Sequence, residues 1–175
     1  MKDLIYCQRD IPKEQWRYGF RTSAAVGCGW IATYNALRLM GYRAEPEKLI
    51  KMYEHMLPLV HGNAGTATLA PALVFRNWGF PVKVVFDRKK FDETAAASDV
   101  CIVFYHWRNK WKFGAHFVTV QPTEAGFIGY NTYRTSKGPD NWTGSIDGFL
   151  KQKKYFGAVL IGIRDKRNNE VADWN

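Results

Sequence analysis

The chain lacks any apolar run long enough to cross a bilayer. A spanning helix needs about 18 or more such residues together, and charged or polar residues interrupt every stretch here. It also lacks the apolar core of a secretory signal, because Met1-Lys2-Asp3-Leu4-Ile5-Tyr6-Cys7-Gln8-Arg9 sets only three apolar residues in a row. A cytoplasmic location with no membrane partner is expected. Cysteine is scarce: Cys7, Cys28 and Cys101 are odd in number and far apart, which argues against a disulfide framework or a zinc ribbon and leaves at least one free thiol. His55 and His61 are six apart, and no Cys or His pair has usual ligand spacing. A phosphate-cradling glycine-rich loop is missing too, so neither a metal nor a cofactor is expected.

Acid is the charge in short supply. Asp and Glu number 16 against 25 Lys and Arg, a net charge of +9. Part of the excess lies in Lys151-Gln152-Lys153-Lys154, in Arg164-Asp165-Lys166-Arg167 and in Trp107-Arg108-Asn109-Lys110-Trp111-Lys112. Tryptophan interleaved with base could stack on single-stranded nucleic acid. A solvated hairpin loop and a basic tail are the simpler reading, and no nucleic-acid-binding motif supports the other. Nucleic acid is not the expected partner.

With no repeat and no linker, one domain is expected over 1–175, with helices to about residue 80, strands over about 81–163 and a basic tail over about 164–175. From Ala24 to Gly41 the only charge is Arg38, so a helix starting at Cys28 is apolar on nearly every face and must be buried. Gly41 ends it at a plausible left-handed position. A second helix is predicted from Pro46 to about Met56, and a third from about Thr66 to Trp78 with Leu69, Leu73 and the Phe75–Trp78 turn inward. The period then changes. Val82–Phe86, Val100–His106, Phe113–Val120, Phe127–Tyr130 and Phe156–Ile163 read as strands, with a short helix around Ile146–Lys151. Helices first and strands afterwards predict an α+β domain with an antiparallel sheet.

Cys28 carries the sharpest chemical signal. Gly27-Cys28-Gly29-Trp30 sets a sulfur at a helix entry, where free N–H groups and the helix dipole favour thiolate over thiol. An isolated cysteine is more often a small core residue, but two flanking glycines suit close substrate approach. A thiol nucleophile needs a base. His55, His61 and His106 fall at a helix end, in a loop and at a strand end, where ordinary exposed histidine is expected. His116 opens Gly114-Ala115-His116-Phe117-Val118-Thr119-Val120, with small residues ahead and an alternating strand behind. The imidazole must also be oriented, usually by an amide or carboxylate. Asn131, ending the next strand, is placed to do this.

Together these residues resemble the papain-like cysteine peptidases, and particularly the bacterial branch similar to bacteriocin-leader-processing peptidases. The likeness rests on Gly27-Cys28-Gly29-Trp30-Ile31-Ala32-Thr33-Tyr34-Asn35-Ala36-Leu37, on Gly114–Val120 and on Gly129-Tyr130-Asn131, in the family's order. It implies a papain-like fold, a peptide or peptide-like substrate, Cys28 as nucleophile, His116 as general base and acid, and Asn131 as the orienting residue. One position departs: Thr22 stands where the family has an oxyanion-hole glutamine, and Gln15 could serve only if the loop doubled back. A catalytically silent papain-like binding domain is therefore the alternative, with a basic nucleic-acid-binding domain second. Trp30, Trp107, Trp111 and Trp142 are the candidates for groove walls.

Overall fold

The computed structural model describes residues 4–56 and 66–167. A two-stranded hairpin, β1 (Arg17–Tyr18) and β2 (Arg21–Thr22), turns at Gly19 and runs into a one-turn helix, α1 (Ser23–Val26). After Gly27 comes the central helix α2 (Cys28–Leu39), then α3 (Pro46–Met56) and α4 (Ala70–Asn77). Strand β3 (Val82–Val85) and helix α5 (Phe91–Ala96) lead into β4 (Val100–Asn109), β5 (Lys112–Thr123), β6 (Gly126–Tyr130) and β7 (Asp140–Thr143). Helix α6 (Ile146–Gln152) and β8 (Tyr155–Ile163) complete the described chain.

Six strands form one antiparallel sheet in the order β3-β8-β4-β5-β6-β7. Period-two alternation divides its side chains between two cores. Ile102, Phe104, Phe117 and Ile161 face α2 and α4, whereas Val103, Tyr105, Val118 and Leu160 face α5 and α6. The helix α2 is as buried as its sequence requires, with Trp30, Ile31 and Ala36 essentially inaccessible. Its C-terminus closes with Gly41 at φ +84°. The N–H of Tyr42 bonds to Leu37 O and that of Gly41 to Arg38 O, the paired bonds of a left-handed helix end. Thr119 Oγ1 donates to Ala32 O at 3.0 Å, fastening α2 to β5.

The third helix differs from its sequence reading. It starts at Ala70 rather than near Thr66, because Pro71 sits in its first turn, where a missing N–H costs nothing. Its inward face is Ala70, Ala72, Val74 and Phe75, and Leu69 and Leu73 are exposed. The hairpin β1–β2 and the helices α1 and α5 are too short to show a hydrophobic period, the strand β7 is mostly polar, and all are absent from the sequence reading. Among the described residues no helix is long and apolar enough to cross a membrane.

Candidate active site

Three segments meet where α2 begins. Cys28 opens α2 and is only partly buried, while Cys7 and Cys101 are core residues, 4% and 0% exposed. The Cys28 sulfur faces the main-chain N–H of Phe117, the residue after His116, together with its own N–H and that of Gly29. Those of Cys28 and Gly29 are free donors, since the first turn of a helix leaves its N–H groups unpaired, and that of Phe117 comes from β5. Burial nonetheless dominates and pushes the thiol above its ordinary value, with the three N–H groups opposing it. Helix position alone therefore does not leave a standing thiolate, contrary to the sequence expectation.

The flanking glycines serve packing rather than substrate access. Both are buried. A Cβ on Gly27 would lie 2.7 Å from Ser23 O and 2.6 Å from Trp30 Nε1, and one on Gly29 would lie 2.6 Å from the Thr66 side chain. Thr66 is itself held by a 3.0 Å hydrogen bond with Tyr18. The bare glycines thus let α1 and Thr66 close around the start of α2.

His116 lies on β5 opposite Tyr105, whose ring meets its imidazole edge-on at 6.1 Å. Its Nε2 is 2.7 Å from the main-chain oxygen of Asn131. A carbonyl can only accept, so Nε2 carries the proton and Nδ1 keeps the free lone pair. Burial lowers His116 to about 4; the Asn131 bond opposes this, and the charges of Lys153 and Arg134 add to it. The imidazole is neutral in the resting protein.

Asn131 meets His116 in a different way from the sequence expectation. Its main-chain oxygen, not its amide, contacts the ring. The amide is occupied elsewhere: Oδ1 accepts from Gln8 N at 2.9 Å, and Nδ2 donates to Gln8 Oε1 at 3.2 Å. Gln8 Nε2 in turn donates to Ala24 O in α1 at 3.1 Å. Asn131 sits at φ +60°, a left-handed conformation that asparagine tolerates better than most residues. The side chain therefore pins the backbone, and the backbone orients the imidazole. Sequence reasoning missed Gln8 because it opens a 3-10 turn of three residues, Gln8–Asp10, too short to carry a period. Gln15 is exposed beside a different groove, and Thr22 caps no helix through its side chain.

The other sequence candidates disperse. His106 is exposed and stacks on Phe156, and His55 is exposed with its Nδ1 against Lys51 O. His61 lies outside the described residues. Trp30 is no groove wall: it is fully buried and donates to Ser23 Oγ. Trp111 is 97% exposed at the β4–β5 turn, and Trp142 packs on Phe127 and Phe149. Trp107 alone of the four lines the groove of about 530 Å³ that runs past His116, Asn131 and Ala24.

The accessibility and the electrostatics together predict how the thiols react. Iodoacetamide should label Cys28 ahead of Cys7 and Cys101, because alkylation needs access. Its rate should climb about tenfold per pH unit through pH 8 and keep rising above 9, without a plateau between 5 and 8. Mass mapping of labelled peptides across that range checks both points.

No protein-family model matches this sequence, and no curated protein matches it. Among solved structures it is similar to the peptidase domain of Streptococcus ComA, described as a bi-functional ABC transporter involved in a quorum-sensing pathway. The TM-score is 0.51 at 11% identity, covering 77% of this chain and 90% of that domain. That likeness, with a buried helix starting at Cys28 against an antiparallel sheet, gives the chain the fold of a papain-like peptidase domain.

Proposed function

We propose that this chain is a cysteine peptidase or related amide hydrolase, with Cys28 as nucleophile, His116 as base and acid, and Asn131 as a positioning residue acting through its main-chain oxygen. The observation that carries the reading is the Asn131 carbonyl at 2.7 Å from His116 Nε2. It leaves Nδ1 as the basic nitrogen on a strand whose next residue, Phe117, borders the Cys28 sulfur.

Reaction begins from a neutral pair. As the sulfur attacks the amide carbon, the thiol proton passes to His116 Nδ1, and the Sγ–C bond forms while the carbonyl π pair moves onto oxygen. The N–H of Cys28 is a donor available to that oxyanion. The imidazolium then returns its proton to the leaving nitrogen, the C–N bond breaks and a thioester remains. Water, losing a proton to Nδ1, attacks the thioester. Collapse releases a carboxylic acid and restores the thiol.

A peptidyl acyloxymethyl ketone tests this directly. It should add once, at Cys28, and not at all to Cys28→Ala. Equal labelling of Cys7 or Cys101 would remove the proposal. The alternative of a silent binding domain draws on Thr22, which supplies no glutamine donor, and on the raised thiol. In that case Cys28 reacts with iodoacetamide but not with the peptidyl probe.

A further inference from the structure

The groove beside His116 is lined by four cations, Arg9, Arg21, Arg134 and Lys153, and by no carboxylate. The ion pairs among the described residues all lie outside this groove. Arg88 and Lys151 share Asp147, Lys137 meets Asp10, Lys48 and Arg43 meet Glu45, and Arg167 meets Asp165. Among the described residues Arg9, Arg21 and Arg134 enter no such pair, and all three are exposed. Lys153 donates to Thr132 O at 3.0 Å and lies 3.2 Å from the Tyr133 ring centroid. Asp140 acts on Lys153 from outside the lining, but four like charges around one concavity still repel one another and focus a field that favours an anion.

We propose that this groove binds an acidic peptide segment, so that the substrate carries carboxylates on the His116 side of the bond to be cut. The proposal rests on the hydrolase reading for its substrate role, but the binding stands by itself. A polyanionic nucleic acid fits less well, because stacking needs open aromatic faces. Lys153 occupies one face of the Tyr133 ring, and Trp107 lies against Gly114, where a Cβ would come within 2.7 Å of the indole. A carboxylate seated among these cations also offsets the charges of Lys153 and Arg134, which add to the larger effect of burial in lowering His116, so an acidic substrate would make the base stronger as it binds.

The test uses full-length Cys28→Ala protein, which binds without turnover, and fluorescein-labelled hexaglutamate and hexaglutamine. At about 50 mM salt hexaglutamate should bind at least about tenfold more tightly. The triple variant Arg9→Gln/Arg21→Gln/Arg134→Gln changes only exposed side chains and should lose about tenfold or more, whereas Lys83→Gln/Lys89→Gln should stay within about twofold. Equal binding of the two peptides, or an equal loss in the control pair, overturns the proposal, and so does oligothymidylate that binds more tightly than hexaglutamate. Selective binding by Cys28→Ala alongside a wild-type Cys28 that ignores the peptidyl ketone would sink the hydrolase reading and leave the anion site standing.

Discussion

Asn131→Gly is expected to keep alkylation of Cys28 by the peptidyl probe within about threefold of the parent, Asn131→Ala to lose about tenfold, and His116→Ala to lose about 10³-fold or more. The order follows from which atom of Asn131 does the work. Glycine adopts φ +60° without penalty and keeps the carbonyl against Nε2, even though the Gln8 bonds are gone. Alanine also keeps a carbonyl, but it resists that conformation by about 1 kcal/mol or more. The peptide then swings and the imidazole loses its anchor. If the amide itself oriented the ring, glycine and alanine would be equally poor, and that result would remove the carbonyl assignment. Gln8→Ala should fall between them, since it frees the Asn131 side chain while leaving asparagine's tolerance of the left-handed region.

Acidification from pH 7 to pH 5 should cost the fold about 2 kcal/mol through His116 alone, approaching about 3 kcal/mol near pH 4. The ordinary value of 6.5 applies to the unfolded chain, and burial lowers the folded value to about 4. Above pH 6.5 the ring is neutral in both states and the full stability is present. Between 6.5 and about 4 only the unfolded chain gains the proton, so stability falls with pH. Partial exposure of the ring makes these figures upper values. Asp165 and Glu45 are also held below their ordinary values, by Arg167 and by Lys48 respectively, but those values, 3.8 and 4.5, put most of their effect below this window. Urea midpoints at pH 7 and 5 measure the loss, and His116→Gln should abolish most of the difference. A variant with the parent's pH dependence would show that the ring is not held neutral by the fold.

Much of the architecture was legible because burial writes a period into sequence. The helix at Cys28 is apolar all round, and its end at Gly41 falls where the left-handed turn occurs. The helix from Pro46 to Met56 and the strands β3, β4, β5, β6 and β8 occupy the predicted stretches to within a few residues. The helix α4 fails on its face, because an apolar run of Leu69 to Phe75 does not reveal which side meets the core. The hairpin of β1 and β2 fails for length, as two residues carry no period, and β7 fails because Asp140-Asn141-Trp142-Thr143 has no apolar run, unlike the equally short β3.

For the site, sequence alone determined that Cys28 starts a buried helix and that His116 lies on a strand followed within fifteen residues by Asn131, because covalent order and side-chain period are local properties. Tertiary structure alone decided that the Asn131 carbonyl meets the imidazole, that Gln8 grips its amide from 123 positions away, and that Arg9, Arg21, Arg134 and Lys153 share one groove. Hydrogen-bond partners and burial depend on which distant segments pack together, and no spacing along the chain encodes that.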